Sequence, residues 1–180
     1  MTENLRVRLN LPKIDQVGFV VRDLERMLMF YEPLFGPFSR MDPGPMSYDY
    51  RGAKEECTMR LAFGRSGAVE IELIEWVSGG CPHKEFLDAG REGMHHLRFI
   101  VDDLDTQVAA ARAAGYEAIW SKRFAEGLAV AYLERSGDPL VIEFFSEPSR
   151  ESRGSASEVA RFFRTLGVFG FFNTASTKWL

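Results

Sequence analysis

The sequence predicts an α+β fold of two tandem βαβββ modules, residues 10–80 and 90–147, joined in one curved mixed sheet with an extension at 148–180. Three observations predict it. A short apolar strand followed by an Asp-Leu pair occurs twice, as "DQVGFVVRDL" from Asp15 and "HHLRFIVDDL" from His95, at an offset of 80. A second motif, "GRSGAVEIEL", returns as "ERSGDPLVIEF", with Glu72 and Glu143 at an offset of 71. Side chains alternate across a strand, and on all four repeated strands one face is apolar while the other carries polar residues.

The elements follow in order. In the first strand Val17, Phe19 and Val21 share the apolar face, and Gln16 and Gly18 lie opposite. Asp23 stands where a carboxylate accepts the free N–H groups of a helix's first turn. Leu24, Leu28 and Tyr31 form the buried stripe of that helix, which ends near Gly36. "GPFSRMDPGPMSYDYRGAKEE" is rich in Gly and Pro and reads as a loop or irregular strand. "ECTMRLAF" is the hairpin partner of a strand with Val69, Ile71 and Leu73 on one face and Glu70, Glu72 and Ile74 on the other. A short helix is expected in "FLDAGREG".

The second module opens with His95, Leu97, Phe99 and Val101 on the apolar face and His96, Arg98 and Ile100 opposite. Asp103 caps the next helix, Leu104, Val108 and Ala111 are its stripe, and Gly115 its stop. "GLAVAYLE" pairs with a last strand whose apolar face is Leu140, Ile142 and Phe144, with Glu143 opposite between Val141 and Phe145. Beyond it, "SEPSRESRGSASE" reads as a polar linker. An amphipathic helix follows, with Val159, Phe162, Phe163 and Leu166, then an apolar tail with Phe169, Phe171, Phe172 and Trp179. That tail suits packing on its own domain, dimerisation, or a lid over a pocket.

Composition narrows the partners. A net charge of −4 and an isoelectric point near 5.5 speak against a nucleic-acid or anionic-membrane surface. No apolar run spans a bilayer, and "MTENLRVRLNLPK" lacks the apolar core of a signal peptide. The two cysteines, Cys57 and Cys81, make no disulfide framework. The expected protein is cytoplasmic and works on a small molecule.

With helices over the apolar faces, the other faces form a concave surface bearing Gln16, Glu72, His96 and Glu143. His95 points to the helix side and makes a structural hydrogen bond. His83 follows a proline in a connection and reads as a surface residue, with Cys81 beside it at best a secondary metal ligand.

The text "GMHHLRFIVDDLD" resembles the methylmalonyl-CoA epimerases, and "IDQVGFVVRDLERMLMFYEPLFG" resembles the opening of the wider vicinal oxygen chelate superfamily. That superfamily also contains glyoxalase I, extradiol dioxygenases and bleomycin-resistance proteins, and the resemblance covers residues 12–147. It implies the glyoxalase/bleomycin-resistance fold and a divalent metal held by Gln16, Glu72, His96 and Glu143, the set that strand alternation isolates independently. Two departures matter. Gln16 stands where the epimerases have a histidine, and Glu72 where they have a glutamine. The resulting set is similar to one type of glyoxalase I, and "CTMRLAF" offers no counterpart to the epimerases' separate catalytic glutamate.

Two carboxylates, an amide oxygen and an imidazole suit Zn, Ni, Co, Mn or Fe(II). In an octahedral shell they leave two adjacent positions for neighbouring substrate oxygens. The resemblance therefore implies a metal-dependent lyase or isomerase that promotes proton transfer through a stabilised enolate or enediolate. Glu143 is the first candidate base and Glu72 the second. Arg98 shares the face and would hold a substrate carboxylate or phosphate, or else a salt bridge to Glu70 or Glu72. Lys122 and Arg123 are candidate contacts for a CoA phosphate. The competing classes are a metal-free binding protein of the bleomycin-resistance type and an extradiol-type dioxygenase. The latter needs two histidines and one carboxylate, which Gln16 denies it. A homodimer is expected.

Overall fold

Asp23 and Asp103 open the two long helices as their sequence positions require: the Asp23 carboxylate accepts from Arg26 N at 3.0 Å and that of Asp103 from Thr106 N at 2.7 Å. The computed structural model of the chain describes residues 4–125 and 127–147. The linker, helix and apolar tail expected beyond 147 lie outside the described residues. The elements are α1 (Leu5–Arg8), β1 (Gln16–Val21), α2 (Leu24–Phe35), β2 (Ser39–Met41), β3 (Pro45–Tyr50), β4 (Ala53–Ser66), β5 (Val69–Gly79), α3 (Pro82–Asp88), β6 (Gly93–Val101), α4 (Leu104–Ala113), β7 (Glu117–Ala125), β8 (Leu128–Glu134) and β9 (Val141–Ser146). Gly115, at φ +87°, turns the chain out of α4 in a conformation that a side chain disfavours.

The strands run in the order β2-β4-β3-β7-β8-β9-β6-β1-β5, and β4 also pairs with β5. That last pairing closes eight strands into a ring, with β2 continuing along β4 beside β3. The two parallel pairs, β1 with β5 and β6 with β9, are repeat-related. Closure between the halves at β3 and β7 rests on Asp49 with Ser121 and Tyr50 with Trp120. The Gly/Pro-rich stretch is thus more regular than a loop, because β2 and β3 both find partners on the long strand β4.

Three apolar cores result. One fills the ring and includes Val20, Tyr48, Met59, Leu61, Ile74, Trp120 and Tyr132. A second lies under α4, where Leu104 and Ala111 meet Phe99, Ile142 and Phe144. The third lies under α2, where Leu24 and Leu28 meet Val21, Ala62 and Leu73. The helices therefore cover the apolar faces and leave the opposite faces pointing inward.

Candidate metal centre

β1 is the axis of the site. Gln16 lies between Glu70 on β5 and Arg98 on β6, and Gly18 lies between Glu72 and His96. Arg98 in turn neighbours Glu143 on β9, which pairs with Tyr132 on β8. All four expected ligands are buried, and they converge. His96 Nε2 is 3.0 Å from Glu143 Oε2, 3.4 Å from Glu72 Oε2 and 3.4 Å from Gln16 Oε1. Gly18 makes this possible, since a Cβ there would sit 2.0 Å from His96 Cε1.

The donors fit a divalent ion on two grounds. With ligand bonds of ~2.1 Å, donors to one ion stand about 3 Å apart in an octahedral shell and about 3.4 Å apart in a tetrahedral one, which matches the spacing found. Glu143 Oε2 is also buried without a hydrogen bond; although 3.0 Å from His96 Nε2, it lies off the direction an N–H donor needs. An oxygen packed 3.0 Å from the imidazole nitrogen without hydrogen-bond alignment suits shared coordination better than a salt bridge.

Neighbours aim these donors. The Gln16 amide nitrogen donates to Glu70 Oε1 at 2.6 Å, so its oxygen faces His96. Burial pushes the Glu70 carboxyl up to about 7, against the opposing pull of Arg98. Burial pulls the His96 imidazole down, but the Glu143 and Glu72 carboxylates outweigh it and bring it up to about 9. Without a cation, a proton on His96 supplies the charge those carboxylates demand. Burial, with the charges of His83, His96 and Arg91, holds His95 well below the usual histidine range. A neutral His95 can accept at Nδ1 from His96 Nδ1, 3.1 Å away, leaving His96 Nε2 to the oxygens.

Two histidine expectations need correction. The register of β6 against β1 shifts between Gly18 and Phe19, so His95 is the extra residue of a bulge. Strict alternation fails there. Rather than lying under α2 or α4, the His95 ring packs beside His96 and Tyr132 and against His83 and Phe86 of α3. His83 is not a surface residue: it is 1% exposed, because α3 turns His83, Phe86 and Leu87 inward at helical spacing. Its Nε2 lies 3.4 Å from Tyr132 Oη. His83, His95 and His96 form a second cluster of possible ligand atoms sharing His96. Cys81 joins neither that cluster nor the one made by Glu72, His96 and Glu143.

Arg98 reaches the site, but its guanidinium is engaged. Nη2 donates to Asp15 Oδ2 at 2.6 Å and to Glu70 Oε1 at 3.2 Å, and Nε donates to Asp15 at 3.0 Å. Lys122 instead donates to Ser47 O and Arg123 to Asp105, and neither lines the cavity above the cluster. That cavity, about 150 Å³, has walls of Met41, Met46, Met59, Leu61, Phe63, Trp120, Phe124 and Phe145. Glu70 and Tyr132 were not among the expected site residues. Glu70 shares the face of Glu72, but its bond to Gln16 depends on the β1–β5 register; Tyr132 lies on a uniformly apolar strand that hides its facing.

Residues 15–132 match the family model described as Glyoxalase/Bleomycin resistance protein/Dioxygenase superfamily. The chain belongs to this superfamily. The chain is 25% identical over 134 residues to the uncharacterized protein YqjC of Bacillus subtilis (strain 168), covering 73% of this chain and 89% of that one. Among solved structures it is similar to the hypothetical protein BH1468 from Bacillus halodurans C-125, with TM-score 0.55 and 23% identity over 77% of this chain and 96% of that one. The methylmalonyl-CoA epimerase from Mycobacterium tuberculosis has TM-score 0.55 and 20% identity over 79% of this chain and 92% of that one. A single-residue variant of the Streptomyces coelicolor methylmalonyl-CoA epimerase, in complex with 2-nitronate-propionyl-CoA, has TM-score 0.54 and 21% identity, covering 77% and 99% of the two chains. At these identities the likeness establishes the superfamily fold.

Proposed function

We propose that this superfamily member is a divalent-metal-dependent lyase or isomerase that binds a small substrate through two adjacent oxygens and moves a proton on the carbon beside them. The observation that carries this reading is the convergence of Gln16, Glu72 and Glu143 on His96 Nε2 within 3.4 Å, from repeat-related positions in both halves. These four side chains would hold the ion. When bound, it would supply a Lewis acid that makes the proton next to a chelated carbonyl removable near neutral pH.

The chain's own groups account for the rest. Glu143 Oε2, buried without a hydrogen bond, is the first acceptor for that proton, and Glu72 is the second. Glu70 fixes the Gln16 amide, and His95 fixes the tautomer of His96. The apolar walls keep water from the reacting carbon. Burial, then the Glu143 and Glu72 charges, holds the Tyr132 phenol well above its ordinary range, so it stays neutral beside the cluster.

The epimerase neighbours and the glyoxalase-like donor set suggest two trial reactions: epimerisation of a 2-methyl-branched thioester and isomerisation of a 2-oxo aldehyde hemithioacetal. The test is solvent deuterium incorporation by metal-loaded protein, read by NMR. Exchange that is lost in Glu143→Gln is expected. Metal uptake without exchange in any substrate of either class would count against the enzyme.

A second reading, a metal-free binding protein of the bleomycin-resistance type, draws on one observation: a protonated His96, favoured up to about pH 9, already balances part of the carboxylate charge. A cytoplasmic homodimer belongs to the same proposal. The acidic balance supports a location away from nucleic acid and anionic lipid, and no helix among the described residues is long and apolar enough to cross a membrane.

A further inference from the structure

We infer that the cavity selects an uncharged substrate, with two adjacent oxygens carried on an apolar body the size of one ring, and rejects anionic ones. This rests on the reading of the cluster as a chelate site and adds the substrate class.

Charge is the first ground. Glu70, Glu72, Glu143 and Glu147 line the cavity against a single guanidinium, that of Arg98. The charge of Arg98 is already offset before any anion enters, because Asp15 holds Nε and Nη2 and Glu70 shares Nη2, at 2.6–3.2 Å. A divalent ion balances Glu72 and Glu143, and Arg98 balances Glu70. No surplus positive charge is left among the described lining residues. A carboxylate or phosphate entering there would be desolvated without a partner, which a buried site penalises heavily.

Shape is the second ground. A cavity of about 150 Å³ matches the size that accommodates one benzene ring in a dry protein interior. Above the cluster its walls are thioether, branched and aromatic carbon, including Met59, Leu61, Phe63, Trp120 and Phe145. Such walls reward apolar area and offer few hydrogen bonds to a polar chain. The carboxylates of Glu70, Glu72 and Glu143 stand at the floor, where the two substrate oxygens would meet the ion, and the buried Trp120 Nε1, which has no hydrogen-bond partner, is one donor on the wall.

Three hydroxamates carry the same chelating group and separate these grounds: acetohydroxamate, benzohydroxamate and 4-carboxybenzohydroxamate. Their affinities for the full chain are read by calorimetry, after its metal content has been measured. Benzohydroxamate is expected to bind at least tenfold more tightly than acetohydroxamate, and at least tenfold more tightly than the carboxylated compound. Equal or tighter binding of the carboxylated compound would overturn the charge argument, and equal binding of the first two would overturn the argument from shape. If the protein holds metal and binds none of the three, the substrate class is wrong while the metal centre stands. A protein that takes up no metal refutes the chelate reading itself, and the substrate class falls with it.

Discussion

Replacing Gly18 by Ala tests the geometry of the centre without touching a ligand. The new Cβ would lie 2.0 Å from His96 Cε1, 2.3 Å from Nε2 and 2.5 Å from Nδ1. Carbon atoms in contact stand ~3.5 Å or more apart, so the imidazole must retreat by roughly 1.5 Å. His96 Nε2 then leaves a donor set held at 3.0–3.4 Å. Gly18 does not occupy the left-handed region, so alanine brings no backbone strain and even lowers unfolded-chain entropy, worth ~0.4–1 kcal/mol. Against this, overpacking a buried ring costs ~1–3 kcal/mol. The protein is therefore expected to fold with a modestly lower Tm, while metal affinity falls by about 100-fold, or ~2.7 kcal/mol. Competition with a chelator of known affinity gives the binding number, and circular dichroism gives the Tm. A folded Gly18→Ala protein whose metal affinity stays within about threefold of wild type would refute the reasoning.

Other perturbations follow from the same site. The folded-state values of both His96 and Glu70 are raised, to about 9 and about 7 from 6.5 and 4.5, so folding favours the protonated form of each. The metal-free protein should lose stability as pH rises, through Glu70 between 4.5 and 7 and through His96 between 6.5 and 9, by roughly 3 kcal/mol each. Melting curves across that range should flatten in the lower window for Glu70→Gln and in the upper for His96→Gln. A wild-type Tm that climbs with pH would contradict this. His95→Phe keeps a ring but removes the acceptor of His96 Nδ1, and should weaken metal binding by ~10–100-fold in a chelator competition. Phe144, fully buried under α4, lies on the other face of β9; Phe144→Ala should cost about 3–5 kcal/mol by urea denaturation while leaving metal affinity of the folded protein unchanged.

How much of this was legible in the sequence depends on how local each cause is. Gln16, Glu72, His96 and Glu143 could be found because strand alternation fixes a face and the repeat fixes which strands correspond. The two aspartate caps and the Gly115 stop are local as well. His95 was misread because a bulge adds one residue to β6, and nothing in "GMHHLRF" marks it. His83 was misread because a helix of seven residues gives too short a stripe to separate from a connection. Closure at β3 and β7 depends on partners far apart in the chain, and so does the bond from Gln16 to Glu70. Such pairings leave no periodic trace in either segment.

The central claim is that the four side chains around His96 hold one divalent ion. Elemental analysis of protein purified without chelator, beside His96→Ala, measures this most directly. About one equivalent of a divalent transition metal in the wild type, lost in the variant, is the expected result. No metal in the wild type, with no rise in Tm on adding Zn, Ni, Co or Mn, would contradict it.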